Sequence, residues 1–126
     1  AALFAATGCA ACHRPELVTG PAPEAPHLSN RAIFPYTDLL LHDLGDDLAD
    51  GVPAGEATGR EWRTAPLWGL GAAGRDGELA LLHDGRARSV AEAILWHGGE
   101  AEAARRRFLD LPAAERQRLA RFVRSL

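Results

Sequence analysis

Methionine and lysine are both missing from these 126 residues, and cysteine occurs only twice. Without methionine the chain has no thioether sulfur for a metal, so such a ligand would have to come from another chain. The lack extends to position 1, where the first residue is Ala1, so the chain reads as a processed form or an excised piece. Aromatic residues make up only 6% of the chain. The aliphatic core is therefore modest, and a large bound cofactor would help to fill it. No apolar run reaches the roughly 18 residues of a membrane span. No stretch alternates apolar and polar residues long enough to specify a strand, so the expectation is an all-α chain. The formal net charge of −3 argues against a nucleic-acid partner.

What is present fits one domain over residues 1–126, with 47% hydrophobic and 25% charged residues. Charge is uneven. Residues 34–59 carry six acids and no base, whereas residues 101–126 carry seven arginines against three acids. Solvated faces account for this, and the orientation of a charged partner is the alternative.

Ala1 to Ala11 is alanine-rich and reads as a helix stopped by Pro15, before a proline loop from Gly20 to Pro26. Tyr36 to His42 is expected to be a short helix burying Leu39, Leu40 and Leu41, and Gly45 to Gly59 a loop. A further short helix is expected after Pro66, then a turn region with four glycines from Gly69 to Gly77. Ser89 and Glu92 form the pattern of a capping box for a helix ending at His97, Gly98 and Gly99. A helix restarts over Glu100 to Phe108. The last helix, Ala113 to Leu126, places Leu119, Phe122, Val123 and Leu126 on one apolar stripe.

Both cysteines lie in Gly8 to His13, "GCAACH". A disulfide across so small a loop would stabilise little. A redox-active pair of the thioredoxin type wants a βαβ context, and structural zinc wants a second ligand pair. C-x-x-C-H is instead the attachment signature of c-type haem. Cysteines three apart on a helix face the same way, so Cys9 and Cys12 can reach the two vinyl groups of one porphyrin, and His13 the iron.

The second axial ligand then comes from His27, His42, His83 or His97. His97 is favoured: it closes a capped helix behind Ile94, Leu95 and Trp96 and precedes two glycines that would let backbone approach a ring. His42, behind three leucines, is the alternative distal ligand. His83 reads as a turn residue bonded to Asp84 or to a haem propionate, and His27 as solvated or a propionate contact. An open, five-coordinate iron is the remaining option. Arg60, Arg63, Trp62 and Trp68 are candidates for binding the haem propionates, with Leu67, Leu81, Leu82, Ile94 and Leu95 packed on the ring. The carbonyl of Pro21 is a candidate to orient His13.

Three stretches, "PYTDLLLHD" (Pro35 to Asp43), "GREWRTAPLWGLG" (Gly59 to Gly71) and "LHDGRARSVAEAILWHGGEA" (Leu82 to Ala101), resemble the C-terminal haem domain of the bacterial di-haem "thiol oxidoreductase" family. Its relatives are the di-haem cytochrome c peroxidases and MauG. The resemblance implies one half of a di-haem protein. The peroxidase relatives carry a similar "HDG" turn with a methionine ligand fourteen residues on, and the residue fourteen after His83 is His97. Where the family often reads HDMG, this chain has His42, Asp43, Leu44 and Gly45.

The resulting expectation is an all-α, class I-like cytochrome c domain with long loops and terminal helices packed across each other. It would carry one covalent haem c with His13 and His97 as axial ligands. The expected function is electron transfer in the periplasm to a redox protein or a second haem domain. A peroxidase-like haem enzyme with an open or displaceable distal site is the alternative.

Overall fold

The computed structural model describes residues 1–73 and 79–126. The expected turn region from Gly69 to Gly77 therefore lies partly outside the described residues. The all-α, class I-like expectation does not hold. Among the described residues there are five α-helices together with four short strands, paired as two antiparallel ribbons. The strands are two or three residues long, too short for any alternation to show in the sequence.

Helix α1 spans Ala2–Ala6 and ends sooner than its alanine content suggests. Gly8 has φ +89, a left-handed conformation that breaks the helix before the cysteines. A 3₁₀ turn follows over Cys9–Ala11. Strands β1 (Leu17–Val18) and β2 (Ala32–Ile33) pair across the proline loop, Leu17 opposite Ile33 and Val18 opposite Ala32.

Strand β3 (Leu41–Asp43) pairs with β4 (Glu61–Arg63), with Leu41 opposite Arg63, His42 opposite Trp62 and Asp43 opposite Glu61. The helix expected over Tyr36 to His42 does not form: Tyr36 and Leu39 take left-handed backbone angles, and the chain becomes a strand at Leu41. Leu39, Leu40 and Leu41 are each at least half exposed. The sequence between Gly45 and Gly59 is mostly irregular, but Leu48 is buried within a 3₁₀ turn over Asp46–Leu48.

Helix α2 (Leu70–Ala73) rests on the last helix, where Gly71 approaches the Arg124 carbonyl so closely that a Cβ would lie 2.8 Å from it. Helix α3 (Val90–Leu95) is capped by Ser89, whose hydroxyl accepts the Glu92 N–H at 3.1 Å. The return bond of the capping box is displaced by one residue, since Glu92 accepts from the Arg88 N–H. Helices α4 (Glu102–Asp110) and α5 (Ala113–Arg124) complete the chain.

The core joins α1, α3, α4 and α5 through Phe4, Val90, Phe108, Leu119 and Val123. Phe4 meets Phe122 edge-on, with ring centroids 5.7 Å apart, so α1 touches α5. Phe4 also lies 5.8 Å from the ring of Tyr36, which carries the core towards His13. No helix among the described residues is long and apolar enough to cross a membrane.

Candidate functional site

In a 3₁₀ turn, side chains three residues apart eclipse one another. The turn over Cys9–Ala11 therefore sets Cys9 and Cys12 on one side, and the His13 N–H bonds back to the Cys9 carbonyl at 3.0 Å. Both thiols are free. Burial pushes the Cys9 thiol up, partly opposed by Thr7, whose hydroxyl lies 3.3 Å from the sulfur. Burial also raises Cys12, helped by the nearby charges of Asp38 and Glu100.

His13 and His97 face each other with ring centroids 6.5 Å apart, planes inclined at 47°. Nδ1 of His13 lies 3.0 Å from the Tyr36 carbonyl, and Nδ1 of His97 lies 2.7 Å from the Ala93 carbonyl. A carbonyl only accepts, so Nδ1 carries the proton in each ring and Nε2 keeps its lone pair. Among the described residues the Nε2 of His97 makes no hydrogen bond, and His13 has a further backbone interaction with Ala65. Burial is the main cause holding both imidazoles below the ordinary histidine value, so both are neutral near pH 7.

His42 lies in a different setting. Its Nε2 meets Asp38 and its Nδ1 meets Glu100, each at 2.9 Å. The bond to Glu100, then that to Asp38, raises its pKa. Two carboxylates on two ring nitrogens favour imidazolium, which has no lone pair to give a metal. Cys12, Asp38 and His42 also bring their ligand atoms within 4.8 Å of one another.

This cluster has a definite pH signature. His42 is raised above its unfolded value of about 6.5, so its contribution is complete below that pH and is lost as pH climbs through the folded pKa. Glu100 is depressed, chiefly by the bond from His42, so its contribution is present above about pH 4.3 and is lost as pH falls through its lower folded pKa. The stability difference between wild type and His42→Gln should therefore be largest between about pH 4.5 and 6.5 and shrink on the alkaline side. Urea unfolding of both proteins across pH 4–9 measures it, and a pH-independent difference would contradict the assignment.

The remaining candidates separate. Trp62 and Arg63 are adjacent in β4 and so point to opposite faces. Trp62 stacks on His83 with centroids 3.6 Å apart, and its buried Nε1 has no partner among the described residues. Arg63 and Trp68 are exposed. Arg60 is held by Asp43 and Asp46. His83 lies 3.9 Å from Asp84, and His27 is exposed. The carbonyl that orients His13 is that of Tyr36, not Pro21. Gly98 and Gly99 approach backbone rather than a ring: a Cβ on Gly98 would lie 2.8 Å from the Leu44 carbonyl, and one on Gly99 2.8 Å from the Gly45 nitrogen.

A family model described as "Di-haem oxidoreductase, putative peroxidase" matches residues 1–126. The chain belongs to the di-haem oxidoreductase family. The family is one of haem-based oxidoreductases with peroxidase-like function. Comparison with curated proteins and with solved structures gave no match.

The residues fit the haem that the di-haem oxidoreductase family implies. Two imidazoles bound to opposite sides of one metal by bonds of about 2 Å have centroids roughly 6 Å apart, close to the separation of His13 and His97. The Nδ1–H tautomer leaves the Nε2 lone pair of His97 available. Trp62 Nε1 is a buried donor lacking an acceptor among the described residues, and a propionate is one acceptor that would satisfy it.

Proposed function

We propose that this member of the di-haem oxidoreductase family holds one haem covalently through Cys9 and Cys12, with His13 and His97 as its axial ligands, and that it transfers single electrons. One observation carries the reading: two neutral imidazoles face each other 6.5 Å apart with both Nδ1 protons committed to backbone carbonyls. When bound, the haem supplies a one-electron iron couple. The chain supplies the rest. Cys9 and Cys12 anchor the group, and Tyr36 and Ala93 fix the two ring orientations. Packing of Phe4 beside His13, with centroids 6.4 Å apart, keeps water from that side. Held by two imidazoles, the iron would pass electrons rather than take up peroxide, at a lower potential than with a methionine ligand.

The family description favours a second reading, a peroxidase-type centre in which His97 gives way to substrate. Two cysteines serve one covalent haem, so the second haem of a di-haem system belongs to a partner domain or a separate redox protein. Covalent haem of this kind is attached outside the bacterial cytoplasm, so the proposed location is the periplasm.

Intact mass and one absorption spectrum test the proposal. The expected protein weighs one haem more than its polypeptide, retains the chromophore after acid–acetone extraction and is low-spin in the ferric state, indifferent to peroxide and carbon monoxide. A bare polypeptide mass would refute covalent attachment. A high-spin spectrum that responds to ligands would select the peroxidase reading.

A further inference from the structure

The peptide unit between Tyr36 and Thr37 is bonded at both ends to the segment that follows the cysteines. Its carbonyl accepts the His13 Nδ1–H at 3.0 Å. Its N–H donates to the Arg14 carbonyl at 3.0 Å. One rigid, planar group thus grips the side chain of residue 13 and the backbone of residue 14 together.

The Thr37 side chain keeps that group from turning. Thr37 is fully buried, and its hydroxyl donates to the Thr64 carbonyl at 2.7 Å while accepting the Leu39 N–H at 2.9 Å. Thr64 is itself buried, and its N–H donates to the Leu40 carbonyl at 2.9 Å. On either side the backbone is strained: Tyr36 has φ +56 and Leu39 φ +63, unusual for residues with a Cβ. A loop in that conformation persists only where its surroundings over-determine it. Here the threonine hydroxyl is the internal tie.

We infer that Thr37 is a positioning residue: by locking the Tyr36–Thr37 peptide it fixes the orientation and the Nδ1–H tautomer of His13. The consequence for a bound haem rests on the function proposed above. A firmly held Nδ1 hydrogen bond makes the imidazole a more basic ligand and keeps the reduction potential low. The consequence for His13 itself does not depend on haem.

Three variants test this: Thr37→Val, which removes the hydroxyl at nearly constant volume; Thr37→Ser, which keeps it; and Leu48→Ala, which opens a cavity at a buried residue outside the cluster that Tyr36 packs against. The first readout is solvent exchange of the His13 Nδ1 proton by NMR, in the haem-free chain and in the ferrous protein. Thr37→Val should exchange roughly five- to tenfold faster than wild type, the equivalent of one hydrogen bond, while Thr37→Ser stays near wild type. The second readout is the midpoint potential, expected to rise in Thr37→Val and to stay unchanged in Thr37→Ser and Leu48→Ala, although Leu48→Ala lowers the melting temperature. Unchanged exchange in Thr37→Val would overturn the inference, and so would faster exchange in Thr37→Ser. The serine variant decides the matter if the valine variant does not fold. Absence of covalent haem would appear in the intact mass and would leave the exchange measurement in the haem-free chain standing.

Discussion

In His97→Ala the ferric spectrum should convert fully from low-spin to high-spin, and the ferrous protein should bind carbon monoxide. His97 is one of two partly buried neutral imidazoles whose ring centroids lie 6.5 Å apart, and the chain has no methionine to replace it. His42→Gln is the matched control. Both nitrogens of His42 are engaged by carboxylates, so its loss should leave the spectrum low-spin. His97→Met should stay six-coordinate with a raised potential, since thioether ligation favours the ferrous state. A low-spin His97→Ala beside a high-spin His42→Gln would transfer the distal role to His42.

Phe108→Ala should cost about 3–5 kcal/mol, a large share of the net stability of an ordinary domain. Its ring is 2% exposed in the cluster joining the helices, so truncation leaves a cavity between elements that cannot easily close. For a chain of this length the melting temperature should fall by on the order of 10–20 °C. Phe122, which the periodicity of the last helix also marks as inward, is only partly buried and meets Phe4 and Tyr36 by its edges. Phe122→Ala should therefore cost less. Equal midpoints for wild type and Phe108→Ala would remove Phe108 from the core.

The helices were legible because their signals are local. The Ser89 cap and the Leu119 and Val123 stripe each need only a few neighbouring residues to be read, and both appear in the structure. The ribbons were not, because β3 and β4 are fixed by pairing between distant segments rather than by their own alternation. Leu39, Leu40 and Leu41 illustrate the error: three leucines in a row suit a buried helix, yet a left-handed Leu39 carries them into an exposed extended segment. The cysteine–histidine motif pointed to haem, the cofactor that the family implies. The partners around it were not legible, since nothing near His13 in sequence announces the Tyr36 carbonyl, and nothing near His42 announces Glu100. The double glycine after His97 gave a signal that pointed to the wrong neighbour: its close approach is to the Asp43–Gly45 backbone.

That backbone contact separates the two histidines in time. His13 follows the cysteines directly, in a turn that closes within a few residues and forms fast, and only the final orientation of its ring waits for the Tyr36 carbonyl. His97 can settle only when Gly98 and Gly99 have met residues 43–45, a contact between distant parts of the chain that must first overcome the entropy of closing a long loop. A chain still largely unfolded can therefore present Cys9, Cys12 and His13 together, whereas His97 arrives with the completed fold. Appearance of the low-spin spectrum during refolding should then track the slow, global phase, and binding through the first histidine should precede it.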